Sequence, residues 1–167
     1  QGGNYNTVGL DAGVSHAEGA FDINLNLSHQ SSDGYQARTI DNFDSGLVNN
    51  SLAGSLGYQG NGHELRLRLI AARGNIEYSN FGSPANQDFE NSLISASWAF
   101  APATAGAAPN TRITLSRITD HIDQQERNYL GDLDFARATR YRLDARHEHT
   151  WRAHTLTGGL MLEREEA

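Results

Sequence analysis

The residues best placed to do chemistry are a pair of histidines, a run of acids and a set of arginines. His147 and His149 stand two apart, so one strand face would present both imidazoles, a spacing that can chelate a metal. That face is the apolar one, beside Trp151, which favours histidines at an interface over a metal site. Asp120, His121, Asp123, Glu126, Asp132 and Asp134 crowd one polar stretch. Such a stretch can mimic a metal or catalytic site, but no serine nucleophile or fixed acid–base pair accompanies it. A charged surface loop is therefore expected. Gly60-Asn61-Gly62 is a turn and not a phosphate cradle. The absence of cysteine excludes disulfides, thiolate metal sites and a cysteine nucleophile. No catalytic constellation assembles from these residues, and the chain is expected not to be an enzyme.

The element that must position these groups is visible in Phe21-Asp22-Ile23-Asn24-Leu25-Asn26-Leu27-Ser28. Apolar and polar residues alternate strictly there, so a strand puts Phe21, Ile23, Leu25 and Leu27 on one face. In a soluble sheet that face meets a core and the other meets water. In an outer-membrane barrel the first meets lipid and the second a wet lumen.

Composition favours the barrel. The chain has 167 residues, long enough for one domain with a good core, yet only 38% are hydrophobic, and 17 glycines run through the strand-like segments. Central strands of a soluble sandwich show continuous apolar runs, and none occurs. Mean hydropathy is −0.57, and no segment approaches the roughly 18 apolar residues of a membrane helix. No signal peptide precedes Gln1, so a mature protein or an excised fragment is expected. A net charge of −7 argues against a nucleic-acid partner.

Eight alternating segments pair into four hairpins. The first turns near Glu18-Gly19 and is expected to pair Val14 with Ile23, Ala12 with Leu25 and Leu10 with Leu27. In the second, Asn61-Gly62 supplies a type I′ turn that sets Leu65, Leu67 and Leu69 against Tyr58, Leu56 and Gly54. Arg66 and Arg68 then stand beside Gly57 and Ser55 on the polar face, costly inside a sandwich but ordinary in a hydrated channel wall. The third hairpin carries Ile94, Ala96, Trp98 and Phe100 on one face, crosses a small-residue connection, and resumes at Ile113 and Leu115. Its phase falters at Arg117-Ile118, where a bulge or the end of the span is expected. In the fourth, a turn at Arg152-Ala153 opposes Arg142 with Glu163 and Arg140 with Glu165, a charge ladder suited to a lumen wall or a solvated sheet surface.

Long polar connections are expected at residues 31–50, 76–91 and 119–138, against short turns at the other rim. That asymmetry is the outer-membrane pattern. Phe21, Tyr58, Trp98, Phe100 and Trp151 all fall at the short-turn rim on the apolar face, as an interfacial aromatic girdle would.

Ser32-Asp33-Gly34-Tyr35, Asp41-Asn42-Phe43-Asp44-Ser45-Gly46 and the strand Asn50-Ser51-Leu52-Ala53-Gly54-Ser55-Leu56-Gly57-Tyr58 resemble the early barrel of TonB-dependent outer-membrane receptors. Within that family the cobalamin (vitamin B12) transporters are the most similar branch, and Gly82-Ser83-Pro84, Asn91-Ser92-Leu93 and Ser97-Trp98 resemble it too. Siderophore receptors share the general pattern. The resemblance implies an all-β fold: an antiparallel, up-and-down transmembrane segment of eight strands within a barrel of about 22. Residues 1–167 would be one partial barrel domain, without plug, TonB box or closing strand. It further implies uptake of cobalamin or a related corrinoid at the bacterial outer membrane, with outer-membrane lipid and the TonB system as partners.

Cobalamin receptors hold Ca²⁺ between two extracellular loops through acidic side chains. By that resemblance Asp41 and Asp44 of the first long connection, with Glu77 and Asp88 of the second, are the candidate ligands, as hard oxygen donors. The spacing departs from the family's tighter Asp-x-Asp-Gly pattern, since Phe43 intervenes and Ser45 precedes Gly46; solvated turn-forming acids are the bland alternative. A self-standing eight-stranded barrel with a structural role, and a soluble carbohydrate-binding β-domain, are the competing functions.

Overall fold

The computed structural model describes residues 5–36, 43–80, 82–101, 110–126, 134–151 and 154–167. These form eight strands: β1 (Val8–Glu18), β2 (Phe21–Ser32), β3 (Leu47–Gly60), β4 (His63–Asn80), β5 (Ser83–Phe100), β6 (Thr111–Glu126), β7 (Asp134–Trp151) and β8 (His154–Glu166). They make one antiparallel up-and-down sheet in sequence order, with no helix among the described residues. The sheet is open: β1 and β8 are its two edges.

Turn chemistry fixes the registers. Asn61 and Gly62 both have positive φ, 52° and 79°, as a type I′ turn requires. Leu65 accordingly opposes Tyr58, and Leu67 opposes Leu56. The first hairpin differs from expectation by one turn position. Gly19 takes φ 58° and opens the turn, so Val14 pairs with Leu25 and Ala12 with Leu27. A two-residue slip preserves which side chain faces where, because the strand period is two. In the fourth hairpin Arg140 opposes Glu165 and Arg142 opposes Glu163, as expected; the turn itself lies outside the described residues.

Two expectations are corrected. Residues 76–91 are not a long connection. β4 and β5 stay paired up to Asn80 and Ser83, where Gly82 with φ 94° turns the chain. Likewise β6 continues to Glu126 and β7 begins at Asp134, so most of 119–138 is paired strand. Polar residues occupy both faces of these extensions, and hydrophobic alternation gives no signal where both faces are wet. Nor is there a bulge at Arg117-Ile118: β5 and β6 pair residue for residue from Ala85 to Phe100.

The sheet has almost no interior. Among the described residues only Ala85 and Ala99 are buried apolar positions, each 4% exposed. The accessible surface is 12171 Å², against roughly 8,100 Å² for a compact monomer of this mass. The large apolar side chains stand outward on one face. Phe21, Tyr58, Leu65, Trp98 and Ile113 share one cross-strand row, and Ile23, Leu56, Leu67, Ala96 and Leu115 the next. This band crosses the strands obliquely. On β2 it runs from Phe21 to Leu27, whereas on β8 it starts at Leu156, two rows below Leu160, and ends at Leu162. An oblique band is what strands tilted to a slab normal would present.

Candidate functional site

The apolar band ends, toward the turns, in aromatic side chains. Phe21 packs on Tyr58 with ring centroids 5.0 Å apart. Trp98 lies 6.4 Å from Phe100, with His63 beside both at 6.0 and 5.0 Å. The Trp98 indole Nε1 donates to His63 Nδ1 at 3.2 Å. The rings therefore keep an apolar body on the band and one polar group to satisfy, the amphipathic arrangement of interfacial aromatics. His147 and His149 continue this rim, their rings stacked at 6.4 Å, and His147 Nδ1 meets Thr111 Oγ1 at 2.8 Å. They belong with the aromatic rim.

The opposite face carries a lattice of charge. Arg66 pairs with Asp22, two strands away, at 3.1 Å, and with Glu64 at 3.5 Å. Arg140 takes both Glu163, at 3.4 Å, and Glu165, at 3.0 Å, while Arg142 turns to Asp144 at 3.2 Å. Register thus opposes Arg142 to Glu163, but the arginine contacts its own strand instead. Long flexible side chains choose among diagonal partners at this spacing. One row of the charged face is apolar: Ala53, Ile70, Leu93 and Ile118 stand directly opposite one another. That row accounts for the faltering phase at Ile118.

At the far end of the strands the first connection folds back on itself. Asp33 N–H donates to the Tyr5 carbonyl, and Ser45 N–H to the Tyr35 carbonyl, each at 3.1 Å. Gly34, at φ 75°, lies so close to the Ser45 carbonyl that no side chain fits there. Two of the segments singled out in the sequence, Ser32–Tyr35 and the end of 41–46, therefore meet.

The four candidate metal ligands are not brought together as a set. Asp41 lies outside the described residues. Asp44 and Glu77 line one cavity of about 70 Å³, with Phe43, Pro84, Ala85 and Asn86. Glu77 is held there because its N–H donates to the Gly46 carbonyl at 2.8 Å. Asp88 goes elsewhere: its Oδ1 accepts from Asn75 Nδ2 at 2.7 Å, and it stands directly opposite Asp123. Asp123 in turn contacts His121 at 3.1 Å. Among the described residues no group of three or more His, Asp or Glu is arranged to hold a metal ion. Asp44 and Glu77 supply two carboxylates, against the six to eight oxygens that Ca²⁺ takes.

The meeting of Asp88 with Asp123 and His121 escaped sequence reasoning because both stretches looked like loops. The signal was present. Setting Trp98 against Leu65 and counting upward places a turn at Gly82 and opposes Asp88 to Asn75. Of the other acids in the third polar stretch, Asp132 and the side chains of Glu126 and Asp134 lie outside the described residues.

No protein family matches this chain, and neither does any curated protein or solved structure.

Proposed function

We propose that this chain is a wall segment of an outer-membrane TonB-dependent transport receptor, with cobalamin or a related corrinoid as the imported ligand. The observation that carries the membrane part is the sheet's lack of an interior. Leu27, Leu56, Leu67, Ile94 and Leu115 stand outward at 47–56% exposure, while the other face is filled with arginines and acids. Only an apolar surrounding stabilises such a face, at about 25 cal/mol for each Å² removed from water. A polar lumen suits the charged face. The open edges at β1 and β8 fit a segment of a larger barrel better than a closed barrel of eight strands. The corrinoid part rests on the resemblance of the segments around Ser32–Tyr35, 41–46 and 50–58. In this role the residues capture and surround a ligand and perform no covalent step.

A cation bound at the far end would use Asp44 and Glu77, which line the same cavity. Its chemistry would be structural, neutralising acids that otherwise repel one another.

The test is fractionation of the natural protein followed by uptake. Recovery in the outer membrane, and accumulation of labelled cobalamin that stops when the inner membrane is de-energised, are expected. A protein that stays monodisperse in buffer without detergent overturns the membrane reading. An outer-membrane protein that leaves cobalamin uptake unchanged overturns the ligand alone.

A further inference from the structure

Two arginines sit on the wrong face. The row that carries Leu25, Leu69 and Ile94 on β2, β4 and β5 continues as Arg117 on β6, Tyr141 on β7 and Arg164 on β8. Directly below them the band is still apolar, with Leu115, Leu143 and Leu162 in register. Directly above come Thr119, Thr139 and Glu166. The two guanidinium-bearing residues thus mark the upper border of the oblique band, each one step beyond its last leucine.

An arginine on a lipid-facing position is costly at the bilayer midplane and nearly free of cost near the interface. Its place at the border is therefore the tolerable one, and its favoured partner there is an anion from the lipid itself. The local geometry is suited to that. The Arg117 guanidinium lies over the Tyr141 ring, 5.9 Å from its centroid, which draws it toward β8 and Arg164. Two intervening strand spacings put the backbones of Arg117 and Arg164 roughly 10 Å apart, within reach of one phosphate for side chains of that length. Arg117 forms no ion pair with any described residue; Arg164 contacts Glu166 at 2.8 Å and is 77% exposed, so donors remain on both. Beyond Glu166, the other charges nearby on this face are Arg73, Glu90, His121 and Arg137, one row further out still. Between Tyr141 and the leucines runs an open groove of about 520 Å³, lined by Ile94, Ala96, Leu115, Leu143 and Leu162 as well as the two arginines. Cationic donors at one end and an apolar trough leading away match the amphiphilic shape of a lipid.

We propose that Arg117, Tyr141 and Arg164 form a seat for the phosphate of an anionic lipid headgroup, with an acyl chain lying in the groove over Leu115, Leu143 and Leu162. The proposal rests on the membrane reading above and adds a ligand on the outer wall, separate from the transported one. The two adjacent positive charges give the recognition, and the tyrosine holds the first of them in place.

The natural protein, purified in detergent, is titrated with phosphatidylglycerol, phosphatidylcholine or inorganic phosphate and read by native mass spectrometry. At about 1 kcal/mol per arginine near a charged lipid surface, Arg117→Gln weakens phosphatidylglycerol retention about fivefold, and Arg117→Gln with Arg164→Gln about thirtyfold. Phosphatidylcholine retention stays unchanged, as does that of phosphatidylglycerol in Arg112→Gln on the charged face. Arg117→Lys with Arg164→Lys keeps most of the preference. Unchanged phosphatidylglycerol retention in the glutamine variants overturns the seat, and the single variant decides this if the double one does not fold. Displacement of phosphatidylglycerol by equimolar inorganic phosphate overturns the lipid as ligand. A protein that retains neither phospholipid and needs no detergent overturns the membrane reading itself.

Discussion

Arg66 and Asp22 hold each other across an intervening strand: Arg66 Nη1 donates to Asp22 Oδ1 at 3.1 Å, and Nη2 to Oδ2 at 3.3 Å. Between them on β3 stands Gly57, opposite both residues. A Cβ at Gly57 would collide with the Asp22 carboxylate. The glycine is thus the gap through which β2 and β4 are clamped.

Filling that gap is expected to cost more than removing the pair. Asp22→Ala loses a half-exposed ion pair, worth about 0.5–1 kcal/mol. Gly57→Val forces Asp22 aside and is expected to cost about 1–3 kcal/mol. Urea unfolding of the natural protein in detergent micelles distinguishes the two. Equal losses would mean that the carboxylate moves freely and the glycine is incidental.

Neighbouring residues on the two faces should respond in opposite ways. Leu67→Arg puts a charge in the middle of the apolar band and is expected to cost about 2–4 kcal/mol in a bilayer. Arg68→Leu, one position on, removes an arginine with an open environment and should change stability by less than about 1 kcal/mol. Folding into lipid vesicles, followed by urea titration, measures both. A tolerated Leu67→Arg would place that face in water.

The two tryptophans, Trp98 and Trp151, lie at the same rim. Their fluorescence should be quenched more strongly by lipids brominated near the headgroup than by lipids brominated near the chain end. Trp98→Leu should remove the stacking on Phe100 and the bond to His63, at about 0.5–1.5 kcal/mol. Stronger quenching from the bilayer centre would contradict the depth assigned to the rim.

Calcium binding, measured by isothermal titration calorimetry on the natural protein, should separate the candidate acids. Asp44→Ala and Glu77→Ala each weaken it about tenfold, a loss of about 1.4 kcal/mol per ligand. Asp88→Ala leaves it within about twofold, because Asp88 is engaged by Asn75. If none of the three changes binding, these acids are ordinary surface carboxylates, and an equal tenfold loss in Asp88→Ala would place Asp88 among the ligands.

The apolar half of the fold was legible in the sequence, and the polar half was not. Asn61-Gly62 and the alternation about it gave the Leu65–Tyr58 pairing without error, because a type I′ turn tolerates one register. The first hairpin came out two residues away, since Glu18-Gly19 and Gly19-Ala20 are both acceptable turns and both keep Leu25 on the same face. The extensions of β4 to Asn80 and β6 to Glu126 were hidden. Strands there are held by backbone pairing and by polar side-chain bonds such as Asn75 to Asp88 rather than by an apolar face, and sequences such as Asn75-Ile76-Glu77-Tyr78-Ser79 read as loop. The same blindness scattered the candidate ligands: Glu77 and Asp88 were grouped as one loop, although pairing sends them to different neighbours.

The strictly sequential strand order has a consequence for how such a wall is made. Every strand bonds only to the strand before it and the strand after it, so no segment waits for a distant partner to be synthesised. Each pairing joins consecutive strands, although most of the contacts it makes are separated by 12 or more residues in the chain. The free margin of β8 meanwhile presents a row of unfulfilled amides and carbonyls, each costing several kcal/mol if left bare in hydrocarbon. That margin is a template. If the chain is the membrane wall proposed above, assembly can advance like knitting, each finished row offering loops for the next, and entry into the bilayer is favourable only while a new strand or another protein covers the working edge.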